Sequence, residues 1–113
     1  MGTVVGNGVA IPHARLATLT KPVLTFGRSV AGVEWDAPDG LPAHFIFLLL
    51  TPVVDEGLQL QSLAALARGM SNENARVQLT QANTSQEVWQ ALQDALGTQK
   101  LARMKNTQPQ AAE

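Results

Sequence analysis

Apolar and polar positions divide the chain into stretches of two different periods. Across residues 43–51 (Ala-His-Phe-Ile-Phe-Leu-Leu-Leu-Thr) nearly every position is apolar and Pro52 follows. This pattern predicts the central strand of a sheet, covered on both faces. Ahead of it, residues 22–30 carry Val23, Leu24, Phe26 and Val30 around Gly27, which predicts a strand with a bulge at the glycine. Val33 and Trp35 prolong an alternating pattern into Asp36-Ala37-Pro38-Asp39-Gly40, a turn in which the aspartates serve the backbone. Residues 22–51 therefore read as a hairpin or meander.

Beyond Pro52 the period becomes helical. Residues 55–70 are expected to form a helix lying across the sheet, with Leu60, Leu63, Ala64 and Ala67 as its inner stripe and Leu66 adjoining. Residues 72–82, with Val77 and Leu79, make a weaker helical pattern. Thr84 followed by Glu87 is a capping box, and Val88, Ala91, Leu92, Ala95 and Leu96 form one apolar face before Gly97. The expected organisation is one domain over residues 1–97 and a polar tail over 98–113 that frays and ends disordered. At the other end, residues 1–15 hold three glycines and a proline and read as a turn-rich loop.

Composition narrows the function classes. The chain has 113 residues and 45% apolar content, enough for a single core. Eight Lys+Arg stand against nine Asp+Glu, with no basic run and few aromatics, which argues against nucleic-acid binding. Without cysteine there is no disulfide framework, thiolate metal site or cysteine nucleophile. No apolar run is long enough to insert in a membrane, so a cytoplasmic domain is expected. Of the two histidines, His44 precedes the apolar strand and reads as a satisfied strand-end group. A zinc site from His13 and His44 would lack a third good ligand.

Chemistry concentrates in Gly6-Asn7-Gly8-Val9-Ala10-Ile11-Pro12-His13-Ala14-Arg15. Glycines let backbone N–H groups approach an anion, and Pro12 restricts the chain just before the histidine. His13 is the candidate nucleophile, since a neutral imidazole nitrogen attacks near neutral pH while a carbonyl fixes the opposite nitrogen. It is expected at an accessible loop edge facing a glycine-lined surface. Arg15, Asn7 and Gly8 are the candidate groups for stabilising phosphoryl charge.

This stretch resembles the active-site signature of type-2 enzyme IIA domains of the bacterial phosphoenolpyruvate:sugar phosphotransferase system, the mannitol, fructose and nitrogen-regulatory class. Gly6, Gly8, Ala10, Pro12, His13, Ala14 and Arg15 fall on a pattern close to Gly-x-Gly-x-Ala-x-Pro-His, a small residue and a basic one. The likeness continues past the motif: residues 35–43, the strand ending at Pro52, and Glu56-Gly57-Leu58-Gln59-Leu60 are similar to the family's later segments. The resemblance implies an α/β fold: a three-layer sandwich with a mixed central sheet flanked by helices. It also implies a phosphocarrier, a phosphotransferase component acting through a phosphohistidine at His13. In the family this histidine is loaded by the carrier HPr and passes the group to a cysteine of a IIB component, which here must be another polypeptide. No metal or organic cofactor is implied.

Three positions depart from the family. Its members carry two helices and a phosphoryl-stabilising arginine ahead of the glycine loop, whereas only residues 1–5 precede Gly6, so the N-terminal portion is expected to be lacking. Gly57 stands where a histidine often opens the next helix, and His44 where an acid is usual. These departures leave a rival reading, a regulatory or binding module of the same fold that controls a transporter or another partner. They also lead to an expected homo-oligomer, since an apolar area left uncovered by two helices must be buried elsewhere, with residues 101–104 as one candidate cover.

Overall fold

A computed structural model describes residues 4–35, 37–97 and 111–112. The strands are β1 (Val4–Gly6), β2 (Val9–Ala10), β3 (His13–Leu16), β4 (Val23–Val33), β5 (Ala43–Pro52) and β6 (Ala111–Ala112). The helices, all between β5 and β6, are α1 (Glu56–Met70), α2 (Glu73–Gln81) and α3 (Ser85–Leu96). This is the expected α/β fold, with a sheet of mixed direction. β5 is its interior strand: β2 and β3 run parallel along one edge, and β4 is antiparallel along the other. β6 pairs with the outer edge of β4, and the remainder of the 98–113 tail, including residues 101–104, lies outside the described residues.

Two expectations for the layers need correction. Alternate residues of β5 (Ala43, Phe45, Phe47, Leu49, Thr51) are buried, whereas Leu48 on the opposite face is 39% exposed. Leu24, Phe26, Phe45, Phe47 and Leu49 pack in one core with Leu66, Met70, Leu79, Val88 and Leu92, so all three helices cover the same side. The described residues thus form two layers rather than a three-layer sandwich, and β5 is covered on one face. Its near-continuous apolarity carried no alternation from which to tell the two faces apart.

The stripe expected for α1 is also rotated. Leu58, Ser62, Ala65, Leu66, Gly69 and Met70 face inward, while Leu60 is 72% exposed. Gly69 explains the rotation. A methyl group there would stand 2.8 Å from Leu96 Cδ2 and 3.2 Å from the carbonyl oxygen of Ala95, so α1 meets α3 through the face that has no side chain at its centre. α3 begins as its capping box requires, with Glu87 N–H donating to Thr84 Oγ1 at 3.1 Å. α2, which has no basic residue in its last turn, borrows one from the sheet: Arg28 Nη1 donates to the carbonyls of Leu79 and Ala82.

Residues 1–15, expected as a loop, contain three short strands. β1 and β2 are joined through Asn7 and Gly8, whose φ angles of 59° and 77° suit a tight hairpin turn. Asp39 fastens this hairpin, accepting from Asn7 N–H at 2.9 Å and Leu41 N–H at 3.1 Å. The bulge expected at Gly27 falls later: Gly27 keeps its partner Ile46, and the register slips between Arg28 and Val33.

Gly69→Val is expected to lower stability by about 1–3 kcal/mol through overpacking at the α1–α3 contact. Gly57→Ala, where a methyl group would meet only Asp55 Oδ1 at 3.9 Å, should be neutral or stabilising by up to about 1 kcal/mol; urea unfolding of both variants checks the pair. The backbone donors of Asn7 and Leu41 hold the Asp39 carboxyl below its ordinary range. A depressed folded pKa contributes stability above the unfolded value, and that contribution is lost as pH falls through the folded value. Wild-type protein should therefore lose more stability than Asp39→Asn on acidification below about pH 4, the usual carboxyl range, as followed by thermal melts.

Candidate functional site

β2 and β3 are one strand line with an interruption. Val9 lies opposite Phe45 and Ala10 opposite Ile46; after a gap at Ile11 and Pro12, His13 lies opposite Leu49 and Arg15 opposite Thr51. The register does not change across the gap. Proline supplies no N–H, so no full ladder pair forms there. Pro12 still accepts from Leu49 N–H through its carbonyl, at 3.0 Å.

Unchanged register preserves parity. Val9 and Ile11 point to the helix-covered face and are 1% exposed, and His13 and Arg15 follow them on that same face. The fully apolar residues belong to the core, and His13, half-buried, stands at its rim. Its Nδ1 is 2.8 Å from the carbonyl oxygen of Ile11, one of the two residues in the gap. A carbonyl can only accept, so Nδ1 carries the proton in this bond and Nε2 is left with its lone pair. His13 is thus the first residue of a strand rather than part of a loop edge.

Arg15 completes one side of the site. Its Nη1 lies 3.2 Å from Glu56 Oε2, in the first turn of α1. With the two side chains 43% and 79% exposed, the pair is worth at most about 1 kcal/mol and exchanges readily for a stronger anion. β3 and β5 end together at Leu16 and Pro52, and α1 starts at Glu56 after the Asp55 cap. Arg15, two residues beyond His13, therefore lies near the carboxyl ends of two parallel strands and is bridged to the amino end of a helix, where backbone dipoles favour negative charge.

The other predicted groups lie elsewhere. Gly8 accepts through its carbonyl from His44 N–H and Phe45 N–H, and the run of β5 from His44 to Leu49 puts the hairpin turn roughly 15 Å from His13. Asn7 and Gly8, expected to stabilise phosphoryl charge, are not brought beside His13: the Asn7 N–H is held by Asp39 and the Gly8 carbonyl by the start of β5. His44 donates from Nδ1 to the Ser29 carbonyl at 2.8 Å, a satisfied strand histidine beside the β4 irregularity. Among the described residues no three His, Cys, Asp or Glu side chains gather as a metal-binding group. No helix among them is long and apolar enough to cross a membrane.

Sequence reasoning missed Glu56 as a partner of Arg15 and missed Thr51, whose Oγ1 is buried without a hydrogen-bond partner beside the site. The signal for Thr51 was present: it is the single hydroxyl in the apolar run of β5.

Residues 1–95 match the family model described as "Phosphoenolpyruvate-dependent sugar phosphotransferase system, EIIA 2". A "PTS system fructose-specific EIIA component" from Haloferax volcanii is 37% identical over 94 residues, covering 83% of this chain and 61% of the relative. A "Nitrogen regulatory protein" from Pseudomonas aeruginosa is 34% identical over 89 residues, covering 79% and 58%. The crystal structure of nitrogen regulatory protein IIA-Ntr from Neisseria meningitidis superposes with a TM-score of 0.76 at 39% identity, over 80% of this chain and 62% of that one. The chain thus spans less than two thirds of these relatives. With a family model covering most of its length and a solved relative sharing its fold, this chain belongs to the EIIA type-2 family of the phosphoenolpyruvate-dependent sugar phosphotransferase system.

Proposed function

We propose that the domain is a phosphocarrier that accepts a phosphoryl group on His13 Nε2 from an HPr-like donor and passes it to a IIB-like acceptor on another chain, in the cytoplasm. One observation carries the reading: the bond from Nδ1 to the Ile11 carbonyl, which fixes the tautomer and turns the remaining lone pair outward. The Nε2 lone pair forms a bond to phosphorus in line with the donor, and the bond from phosphorus to the donor breaks, its electron pair leaving with the donor. Nδ1–H stays in place, held by Ile11, so the ring becomes an imidazolium carrying a doubly charged phosphoryl group. Arg15 and the start of α1 offset that charge. In the onward step the acceptor nucleophile attacks phosphorus and the ring recovers its lone pair.

Docking of both partners would use the rim around the site. Leu16, Val54 and Leu60 are 38%, 92% and 72% exposed, a contact area rich enough for a transient encounter. The similarity to both a fructose-specific component and nitrogen regulatory proteins keeps a regulatory role for the same phosphorylated histidine as the second reading.

Incubation with enzyme I, HPr and labelled phosphoenolpyruvate should label wild-type protein, and His13→Gln should take up no label while remaining folded within about 1 kcal/mol. Labelling of His13→Gln at the wild-type rate would end the reading. Transfer of the label onward to a IIB protein would distinguish transport from regulation. The open face of β5, with Leu48 exposed, is the surface we assign to self-association: light scattering of the 12.0 kDa chain should give a mass that rises with concentration.

A further inference from the structure

Thr51 is the only buried side chain among the described residues whose hydrogen-bonding atom has no partner: its Oγ1 is inaccessible and the residue is 0% exposed. An unmet buried hydroxyl is destabilising, and valine would fill the same space without that cost. The position is not arbitrary. Thr51 lies directly opposite Arg15 in the parallel β3–β5 ladder, two residues beyond Leu49, which lies opposite His13. By the parity of the strands His13, Arg15, Leu49 and Thr51 all share the helix-covered face. Thr51 is consequently the cross-strand neighbour of the arginine on that face, one pair along from Leu49 and the histidine.

Arg15 in the unphosphorylated protein leans the other way, to Glu56. A phosphoryl group on His13 offers a stronger and more highly charged acceptor than one exposed carboxylate. Its strand position is two residues from that of Arg15, about 7 Å along β3, within reach of an arginine side chain. A guanidinium has five N–H groups, and those that do not face phosphoryl oxygens are open to a further acceptor. Among the described residues the one buried side-chain acceptor without a partner is Thr51 Oγ1, directly opposite Arg15.

Resting on the assignment of the phosphoryl group to His13, we propose that Thr51 is a positioning residue for Arg15. Its hydroxyl is vacant in the free protein and accepts an N–H of the guanidinium when the phosphoryl group draws Arg15 away from Glu56. The hydroxyl is thus matched to the phosphorylated state and left unsatisfied in the other.

The test is a double-mutant cycle on the full chain, phosphorylated chemically with phosphoramidate and followed by 31P NMR. In wild-type protein one phosphohistidine signal, absent in His13→Gln, should form. Thr51→Val should shorten the lifetime of that signal by about 5-fold, the worth of one modest hydrogen bond, while Thr51→Ser restores it. In the Arg15→Ala background Thr51→Val should have no further effect, and the thermal midpoint of unphosphorylated Thr51→Val should equal or exceed that of wild type. If wild-type protein forms no His13 signal, the phosphocarrier reading fails and takes this inference with it. A signal that forms but is indifferent to Thr51→Val, or equally sensitive in the Arg15→Ala background, overturns the role of Thr51 alone. A fall in stability without a change in lifetime would assign the hydroxyl to the fold and overturn it too.

Discussion

The backbone of β5 imposes the governing constraint on this domain. An apolar strand withdrawn from water must have its peptide groups paired along both edges, and β5 meets this with β4 on one side and the β2–β3 line on the other. Pro12 interrupts that second line without shifting it. Within the interruption the Ile11 carbonyl becomes available to a side chain, and the nearest suitable donor is the ring of His13. A break in hydrogen bonding that would be a defect in an ordinary strand here supplies the contact that orients the imidazole.

The same strand end gathers the electrostatic parts of the site. β3 and β5 finish together, and the chain returns over the sheet as α1, bringing Glu56 to Arg15. None of these interactions is strong by itself: an exposed ion pair, one imidazole–carbonyl bond and the end of a helix dipole each contribute about 1 kcal/mol or so. Weakness suits the proposed carrier role. A site that held its phosphoryl group with deep, fully satisfied contacts would load easily and unload slowly, whereas a carrier has to do both at similar cost.

Much of this was legible in the residues. The Thr84–Glu87 capping box, the central place of β5 and the hairpin into it were all readable because each depends on local spacing. What was not readable depends on how elements meet. The orientation of α1 turned on Gly69 accepting Leu96 at close range, a contact across 27 positions of sequence that no periodicity contains. Glycines at Gly6 and Gly8 look identical whether they cradle an anion or close a hairpin; only the pairing of Gly8 with the start of β5 separates the two. The coverage of β5 was over-read for a related reason, since an apolar strand announces burial but not which layer provides it.

Parity also sets how this segment tolerates changes of length. The hairpin turn is exposed at Asn7, so residues added there extend a loop and leave the strand line untouched. One residue added or lost between Ile11 and His13 is a different event. With the Val9–Phe45 pairing held, every later side chain of β3 would change faces, sending the imidazole to the open side of the sheet and turning Ala14 toward α1. The spacing from the buried isoleucine to the histidine therefore behaves as a counted quantity, fixed by the two-residue repeat of a strand rather than by the chemistry of the residues in between.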